Sequence, residues 1–521
     1  MTPDHDVDVV VIGAGLGGSA VAYALREAGL RVLILERGGY LKQEHENWDP
    51  TEVISNRRYE SEEEWVDQYG KRFCPRVYYN VGGSSKFFGG VALRFRRDDF
   101  NARSYPDGDT VAWPITYEDL APFYDEAERL MWVHGQIGHD STEPPRGEFP
   151  GPPLQHEPQI EWLSRRLAGV GLHPLPLPMA VDQGTTGRCR KGSPCDGFPC
   201  KIRAKGDGEN SFLRPALRAR GNGSLEIRTN SRVVRFNHDE RGRTVTSVEY
   251  LGGDERHTIA AGTFVLAAGA VNSAAILLQS ISTRFPSGLA NSSDLVGRNF
   301  MAHNNTVLMA FSPFRRNPTR FQKTLALNDF YLPRVGDAGG VGPTQCPVGH
   351  IQMRGKVVEQ NLRQSPRFLV RTFARFIAAH SFDFWVMSED LPSPDNRVEV
   401  FNGREIRLSR TLNNLGSHRA LVKELKRILR RIGLPLVIER EPSPQTIQHQ
   451  CGTLRFGVDR RTSVLDPWCC SHDLTNLYVT DGSVFPSSAA VNPALTIAAN
   501  ALRVGEHIRQ ELCEHPGNQN P

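Results

Sequence analysis

The opening of the chain alternates apolar runs with small residues, a pattern that predicts a strand, a helix and a second strand. Residues 9–12 form an unbroken run of valine and isoleucine, and residues 32–35 form a similar run that includes leucine. Such runs are typical of strands buried on both faces. The alanine-rich residues between them favour a helix. The chain is therefore expected to begin with a βαβ unit of a parallel sheet.

A second informative pattern lies near the other end of the chain. Asn492 precedes Pro493, and residues 494–502 are rich in alanine and leucine. Proline suits the first position of a helix because its missing N–H would have no partner there. Asn492 is therefore expected where the free N–H groups and the positive dipole end of a helix converge on a site.

The glycines after the first strand have the spacing of a nucleotide-binding turn. Gly13, Gly15 and Gly18 form G-x-G-x-x-G, and Glu36 follows the second strand eighteen residues beyond the third glycine. The first glycine permits a tight turn, the second lets the backbone approach a pyrophosphate, and the third allows close helix–strand packing. The acid accepts hydrogen bonds from ribose hydroxyls. The motif predicts an ADP-containing dinucleotide, either FAD or NAD.

Length and charge fit a large enzyme and give no sign of a nucleic-acid partner. The chain has 521 residues, enough for two domains, and a net charge of +4 from 62 basic and 58 acidic side chains. The densest basic cluster, Arg427, Arg430 and Arg431, is interpreted as the exposed face of an amphipathic helix. No apolar run approaches the ~20 residues that span a membrane. The acidic first residues show no leader peptide, so a cytoplasmic location is expected.

The nine cysteines do not predict a metal site. Cys189, Cys195 and Cys200 are spaced C-x5-C-x4-C, unlike the paired C-x2-C of a zinc ribbon. Buried thiols, or one disulfide, are favoured over a metal at this loop.

Four segments, in this order along the chain, resemble the glucose–methanol–choline (GMC) family of FAD-dependent oxidoreductases. They are the nucleotide-binding motif, the glycine-pair loop at 80–90, the strand end and helix start at 263–273, and the segment at 481–495. The resemblance runs through nearly the whole chain. Within the family, the loops at 195–200 and 288–300 look closest to bacterial sugar and glycoside oxidoreductases related to pyranose oxidase and the C-glycoside 3-oxidases.

The resemblance implies an alcohol oxidation with His449 and Asn492 as the catalytic residues. His449 matches the family's catalytic histidine in its H-x-x-G-T-like motif, and Asn492 matches a second position that is His or Asn in different members. His449 would take the hydroxyl proton as general base while a hydride moves to flavin N5. Asn492 would orient the substrate oxygen and stabilise developing alkoxide charge. A hydrogen-bonded core histidine and a simple helix cap remain the alternatives.

The resemblance also implies which residues bind the FAD. They belong to the nucleotide-binding turn, the glycine-pair loop, a strand on the adenine side, the strand end before residue 270, and the start of the last helix. The expected FAD-binding residues are Gly13, Gly15, Leu16, Gly18, Glu36, Arg37, Gly82, Gly83, Ser84, Val233, Ala268, Gly269, Asp481, Gly482, Asn492, Pro493 and Ala494.

The expected fold class is α/β (α+β overall), with a Rossmann-like FAD-binding domain and a substrate domain built on an antiparallel sheet flanked by helices. Alternating residues at 396–401 and 406–409, on either side of an Asn-Gly turn, predict an antiparallel hairpin. The expected boundaries are 1–150, 205–310 and 455–515 for the discontinuous FAD domain, 151–204 for a Cys/Pro/Gly-rich excursion, 311–454 for the substrate domain, and 516–521 for a disordered tail.

The narrower resemblance implies that the substrate is a sugar or glycoside, oxidised at a secondary hydroxyl. A sterol or aliphatic alcohol is the alternative, as is a non-redox reaction of the hydroxynitrile lyase type. Oxygen or a quinone would accept the electrons. The candidate substrate contacts, chosen by residue type and location, are Gln352, Arg354, Asp383, Trp385 and His303.

We predict that the flavin is bound without a covalent link. Some relatives attach FAD through a histidine after the glycine pair, but the matching residue here, Phe87, cannot form that bond. Lys86 beside it is interpreted as a phosphate or backbone contact. Acid or heat precipitation should therefore release the yellow chromophore into the supernatant. Yellow colour retained by the denatured protein would contradict the prediction.

Overall fold

The structure is a computed structural model that describes residues 6–184, 186–192, 194–219, 221, 223–332, 349–441 and 447–514. The tail expected to be disordered, 516–521, lies outside these residues. Within them, no helix is both long and apolar enough to cross a membrane.

Single α-helices separate several runs of consecutive strands along the chain. In chain order the strands are β1 (Val7–Ile12), β2 (Arg31–Leu35), β3 (Trp65–Asp67), β4 (Arg72–Phe73), β5 (Ser104–Tyr105), β6 (Gly108–Asp109), β7 (Val133–His134), β8 (Leu175–Pro176), β9 (Met179–Ala180), β10 (Ser224–Arg228), β11 (Ser231–His238), β12 (Val245–Gly252), β13 (Glu255–Leu266), β14 (Asn304–Phe311), β15 (Leu325–Leu327), β16 (His350–Met353), β17 (Phe382–Ser388), β18 (Arg397–Phe401), β19 (Glu405–Ser409), β20 (Leu436–Arg440) and β21 (Leu477–Val479). The α-helices are α1 (Leu16–Leu25), α2 (Tyr117–Leu130), α3 (Pro158–Ala168), α4 (Arg214–Arg218), α5 (Ala270–Gln279), α6 (Glu359–Arg363), α7 (Phe368–Thr372), α8 (Ala374–His380), α9 (Leu415–Arg431) and α10 (Ala494–Glu514).

A seven-stranded sheet carries the nucleotide-binding motif, as expected. Its strand order is β10-β2-β1-β13-β12-β11, and β21 also pairs with β13. The pairs of β1 with β2 and β13, of β2 with β10, and of β13 with β21 are parallel. The predicted βαβ opening of β1, α1 and β2 is confirmed, and the fold is Rossmann-like.

The second large sheet has six strands in the order β20-β14-β17-β16-β15-β8 and is antiparallel throughout. On one face α9 and α3 pack against it through buried residues such as Leu425 and Leu163. On the other face, Val370 and Ile377 of α7 and α8 meet Met309 of β14. The predicted antiparallel sheet flanked by helices is therefore confirmed.

Two segments pair or pack with elements outside the domain ranges that were expected for them. The predicted hairpin is present as β18 and β19, and β19 pairs with β3 near the N-terminal part of the chain. The segment expected to be an excursion contributes α3 and β8 to the six-stranded sheet and its core. The domain boundaries themselves stay a prediction.

The first and last helices pack closely, and this contact brings the two informative ends of the sequence together. A Cβ on Gly17 of α1 would overlap the carbonyl oxygen of Thr480, which directly follows β21. A Cβ on Gly505 of α10 would lie 2.7 Å from the Cβ of Ala24 and 3.2 Å from the Cα of Val21. The absence of a side chain at both glycines therefore allows α1 to approach Thr480 and α10 this closely.

We expect Gly17→Ala to destabilise the protein because the added methyl must push α1 away from Thr480. Overpacking of this kind costs roughly 1–3 kcal/mol. Chemical denaturation should show a lower midpoint, and FAD should be retained less well after gel filtration. Gly416→Ala is the matched control, since Gly416 is exposed in α9 and a Cβ there would meet no atom within 4 Å. Equal stability of the two variants would refute the packing argument.

Candidate active site

One elongated cavity of about 770 Å³ connects the nucleotide-binding motif with His449 and Asn492. Volumes of this order are typical of cofactor sites. Most of the residues expected to bind FAD line it, among them Gly13, Gly15, Leu16, Glu36, Arg37, Gly83, Ser84, Val233, Ala268, Gly269, Asp481, Gly482, Pro493 and Ala494.

Two of the expected FAD-binding glycines do not line the cavity. A Cβ on Gly18 would overlap the carbonyl oxygen of Gly13, so this glycine serves the packing of α1 against the turn. Gly82 has a positive φ of 91°, and its Cβ would lie 2.6 Å from the side chain of Lys86. Both glycines shape the backbone behind the cavity wall.

The end of the cavity near Glu36 is built from backbone N–H groups and a carboxylate. Glu36 accepts hydrogen bonds from the N–H groups of Ala14 at 2.8 Å and Gly38 at 2.9 Å, which fix its position. The neighbouring Arg37 forms an ion pair of 2.7 Å with Glu63 and lies over the ring of Tyr79. A carboxylate held in this way still has lone pairs for the hydroxyls of a ribose.

The cavity beside Gly15 can accept a pyrophosphate. A Cβ on Gly15 would meet no protein atom within 4 Å, so open space lies on this side of its backbone, and a side chain would project into that space. Gly83 contacts Gly15 so closely that its own Cβ would lie 3.1 Å from the Cα of Gly15. Because Gly15 caps the N-terminal end of α1, this space lies at the positive end of a helix dipole, where phosphates are stabilised.

Asp481 joins two of the sequence motifs. One oxygen of its carboxylate accepts hydrogen bonds from the N–H of Gly269 at 2.8 Å and the hydroxyl of Ser273, and the other accepts from the N–H of Ser483 at 2.8 Å. The strand end at β13, the start of α5 and the C-terminal segment are thereby held together at the cavity wall.

Phe87 and Lys86 differ in their surroundings. Phe87 is buried, lines the cavity, and stacks on Tyr78 with ring centroids 3.7 Å apart. Lys86 is buried behind the wall, where its ammonium lies 2.7 Å from Glu209 and 3.1 Å from Asp207. The interpretation of Lys86 as a phosphate contact is therefore wrong, since two carboxylates already compensate its charge.

His449 and Asn492 meet at the opposite end of the cavity from Glu36. The Nδ2 of Asn492 lies 3.5 Å from the Nε2 of His449, although the residues are 43 positions apart. His449 adopts a left-handed backbone with φ of 60°, an uncommon conformation for a residue with a side chain. Residues held in such conformations cluster at functional sites.

The helix after Asn492 begins one residue later than expected. The carbonyl oxygen of Pro493 accepts the N–H of Ile497 at 2.9 Å, so Pro493 occupies the cap position and α10 starts at Ala494. Asn492 nevertheless lies at the N-terminal end of the helix and lines the cavity. Its Oδ1 is buried and has no hydrogen-bond partner among the described residues.

His303 determines the protonation of His449. The Nε2 of His303 lies 3.1 Å from the carbonyl oxygen of Ser488, which can only accept, so this nitrogen carries the proton. The Nδ1 of neutral His303 must then accept from the Nδ1–H of His449, 2.8 Å away. The Nε2 of His449 is left with a free lone pair that faces Asn492.

Burial keeps both imidazoles neutral. It lowers the pKa of His449 well below the ordinary value, and the nearby His303 and Lys323 lower it further. Burial also lowers the pKa of His303 to about 4, although hydrogen bonds to the carbonyls of Ser488 and Ala489 raise it. Neutral imidazole is the form that can accept a proton.

The loop that carries the Ser488 carbonyl is fixed from several sides. The Ser488 hydroxyl bonds the carbonyl of Asp390 at 3.0 Å, and the N–H of Ala489 donates to the Glu389 carboxylate at 2.8 Å. The N–H of Ala490 donates to the hydroxyl of Tyr331 at 3.2 Å. The direction of the Ser488 carbonyl is therefore well defined.

The five candidate substrate contacts separate into two groups. Gln352, Arg354 and Trp385 line the cavity, whereas Asp383 and His303 are buried behind it. The structure adds a polar pair that the sequence did not indicate: the ammonium of Lys323 lies 3.1 Å from the Asp196 carboxylate, and both residues line the cavity. Asp196 lies in the loop between Cys195 and Cys200, where the described cysteines are free thiols.

The fold and the cavity define a flavin-dependent oxidoreductase. The chain belongs to the GMC oxidoreductase family, whose models match residues 7–305 and 418–501. It is 31% identical to the 6'''-hydroxyparomomycin C oxidase of Streptomyces lividus, over 98% of this chain and 93% of that protein. It is also 31% identical to the paromamine 6'-oxidase of Streptomyces fradiae, over 98% of this chain and 92% of that one.

A solved structure confirms the fold independently. The pyridoxine 4-oxidase from Mesorbium loti superposes with a TM-score of 0.67 at 20% identity, over 96% of this chain and 99% of that one. The cofactor is therefore FAD, and the enzyme acts on CH–OH groups.

Replacement of His303 by leucine should impair catalysis through His449. The variant lacks the acceptor for the Nδ1–H of His449, so the proton can move to Nε2. We expect flavin reduction by an alcohol substrate to slow roughly 10- to 100-fold, the scale known for groups that orient an imidazole in a metal site. The acid limb of the pH–rate profile should also move to higher pH, because the His303 ring lowers the pKa of His449. Wild-type rates should stay level until His303 is protonated at about pH 4.

His303→Gln is the control for this measurement. Its amide can donate to the Ser488 carbonyl while its oxygen accepts from His449, so most of the rate should return. Stopped-flow flavin reduction across the acid range checks both variants. An equal loss in both, with an unchanged pH profile, would indicate a purely structural role for His303.

Proposed function

We propose that the protein oxidises a hydroxyl of a sugar or glycoside to a carbonyl, with His449 as the general base. The observation that carries the proposal is the free Nε2 lone pair of His449, set by His303 and placed beside Asn492 in the FAD cavity.

The reaction separates one hydroxyl proton and one hydride from the substrate. Bound FAD supplies the two-electron acceptor for the hydride of the carbinol carbon. The O–H bond breaks as His449 Nε2 takes the proton, and the C=O bond forms as the hydride leaves. His449 becomes an imidazolium that returns its proton to solvent. Because burial disfavours this charge, His449 is a base that releases its proton readily.

Asn492 would hold the reacting oxygen. Its amide donates toward the same space that His449 Nε2 faces, so a substrate hydroxyl can donate to the imidazole and accept from the amide. An amide cannot serve as a base, but its donor stabilises negative charge that develops on the oxygen. The N-terminal end of α10 adds a positive dipole at this place.

Gly13, Gly15 and Gly83 would hold the pyrophosphate, and Glu36 the ribose. Ala268, Gly269, Asp481, Gly482, Pro493 and Ala494 would form the wall at the flavin end. Phe87, buried at the position where some relatives carry the linking histidine, has no nucleophilic atom to offer the flavin, which supports non-covalent binding.

The sugar assignment rests on the relatives and on the polar cavity wall. Two relatives at 31% identity are named as oxidases of paromamine and a hydroxyparomomycin. Gln352, the Asp196–Lys323 pair and the aromatic face of Trp385 line the cavity, and these are groups that hydroxylated rings bind well. A sterol would leave these polar groups unpaired, at a cost in binding. Oxidation at a secondary hydroxyl, and oxygen or a quinone as electron acceptor, are parts of the same proposal.

The test is anaerobic loss of the oxidised flavin absorbance with a panel of sugars, glycosides, sterols and simple alcohols. Bleaching by hydroxylated rings alone is the expected result, and product analysis then locates the carbonyl. Reoxidation by air or by a soluble quinone identifies the electron acceptor. Failure of every compound to bleach bound FAD would move the assignment to a non-redox reaction.

His449→Ala should retain FAD but slow flavin reduction ~10²-fold or more, the scale of a positioned general base. His139→Ala is the control, because His139 is exposed and outside the cavity wall. Retained flavin, read from its spectrum after gel filtration, excludes misfolding. Full activity of His449→Ala would refute the assignment of the base.

A further inference from the structure

Arg354 lines the cavity and forms no ion pair with a residue of the described part of the chain. It follows β16, where its N–H donates to the carbonyl of Asp383 at 3.0 Å. Its guanidinium carbon lies 5.0 Å from the ring centroid of Trp385. The Nε of Arg354 is buried and unbonded among the described residues, and none of their carboxylates pairs with it.

Arg354 shares the carboxylate of Asp196 with Lys323. Both cations lower the pKa of Asp196, whose carboxylate lies 3.1 Å from the Lys323 ammonium and accepts the N–H of Gly355 at 3.2 Å. This one carboxylate can balance only one of the two cations. Lys356 donates to the carbonyl of Ser381, and its neighbouring carboxylate, Asp383, accepts from the N–H of Val357 at 3.0 Å.

A second guanidinium lies near Arg354 but outside the cavity wall. Arg440, at the end of β20, is exposed and has no side-chain partner within the described part of the chain. Partial burial lowers its pKa, and the charge of Arg354 lowers it further. In the cavity wall itself, the cations of Lys323, Arg354 and Lys356 lie with the carboxylate of Asp196, so an anion would relieve the remaining positive charge.

The register of the six-stranded sheet relates Arg354 to the catalytic end. Along β17, Met387 pairs with Asn305, two residues from His303. Trp385 pairs with Gln352, and the next residue on this face is Asp383, whose carbonyl binds Arg354. A sugar ring held at Gln352 would thus have His449 toward one end and the Arg354 guanidinium, which lies over the ring of Trp385, toward the other.

We propose that the substrate carries an oxyanionic group, a carboxylate or a phosphate, that Arg354 binds while the reacting hydroxyl faces His449. This inference rests on the proposed function and names the substrate class. The planar fork of a guanidinium matches both oxyanions with two parallel hydrogen bonds. An amino sugar would instead place its cation against an uncompensated guanidinium.

The experiment compares four probes that share one ring: methyl glucoside, glucuronic acid, glucose 6-phosphate and glucosamine. Calorimetry measures their binding to oxidised holoenzyme, and anaerobic stopped-flow measures flavin reduction by each. We expect an anionic probe to bind roughly 10-fold or more tightly than the neutral one, as for a charge-assisted bidentate pair. Added salt should weaken only that binding. The carboxylate and the phosphate arms identify which oxyanion is preferred.

Arg354→Gln should remove the preference for the anion and leave the affinity for methyl glucoside unchanged. Arg354→Lys keeps the positive charge but lacks the planar guanidinium. Its preference for the anionic probe should lie between that of the wild type and that of Arg354→Gln, and it provides a second variant if the first folds poorly. Arg430→Gln removes the same charge from the exposed face of α9 and should have no effect.

Equal affinity for neutral and anionic probes, or tighter binding of glucosamine, would overturn the inference. So would a loss of affinity for all probes alike in Arg354→Gln. Anion binding that depends on Arg354, with no flavin reduction by any alcohol, would retain the anion site and reject the proposed oxidation. Flavin reduction by neutral sugars without a preference for anions would support the proposed oxidation and reject the anion site.

Discussion

The chemistry of the site depends on the direction of one backbone carbonyl, that of Ser488. Because this oxygen can only accept, it sets the proton of His303 on Nε2, and the proton of His449 on Nδ1 follows. The protonation of His449, which we propose as the base, is thus set by a carbonyl two hydrogen bonds away from its Nε2. The carbonyl keeps its direction because side chains and backbone from other elements, such as Glu389 and Asp390, bind the loop around it. The two imidazoles are neutral and bond to each other directly, so neither of them needs a carboxylate as its own partner.

The cavity itself depends on two close backbone approaches. Gly17 lets α1 reach the carbonyl of Thr480, and Gly83 lets the glycine-pair loop contact Gly15. Asp481 then ties the C-terminal segment to the N-terminal end of α5. The cavity is therefore formed where distant parts of the sequence meet.

Much of this could be predicted from local sequence. The βαβ opening, the β18–β19 hairpin and the antiparallel sheet follow from apolar patterns and turn residues or from the family resemblance, and all are confirmed.

His449 and Asn492 were identified by motif and do meet. His303 was named only by residue type, because its contact with His449 spans 146 residues and no local pattern reports it. The wrong interpretation of Lys86 has the same cause. Its carboxylate partners, Asp207 and Glu209, lie more than 100 residues later in the sequence, so the glycine loop itself does not indicate them. α10 begins at Ala494, one residue later than predicted, because Pro493 occupies the cap position. Helix propensity alone does not distinguish a proline at the cap from a proline at the first helical position.

The packing of α1 against β21 and α10 also bears on how the protein is made. β1, α1 and β2 are synthesised first, but the parallel neighbour β21 and the helix that covers α1 come last. Residues 9–25 must therefore wait for most of the chain before their apolar faces are buried. During synthesis on the ribosome the glycine turn can form early, whereas the cavity wall is complete only when the last helix is in place. Chaperones that bind apolar N-terminal segments would act before β21 and α10 are synthesised. A chain truncated before β21 would leave the apolar faces of residues 9–25 exposed permanently.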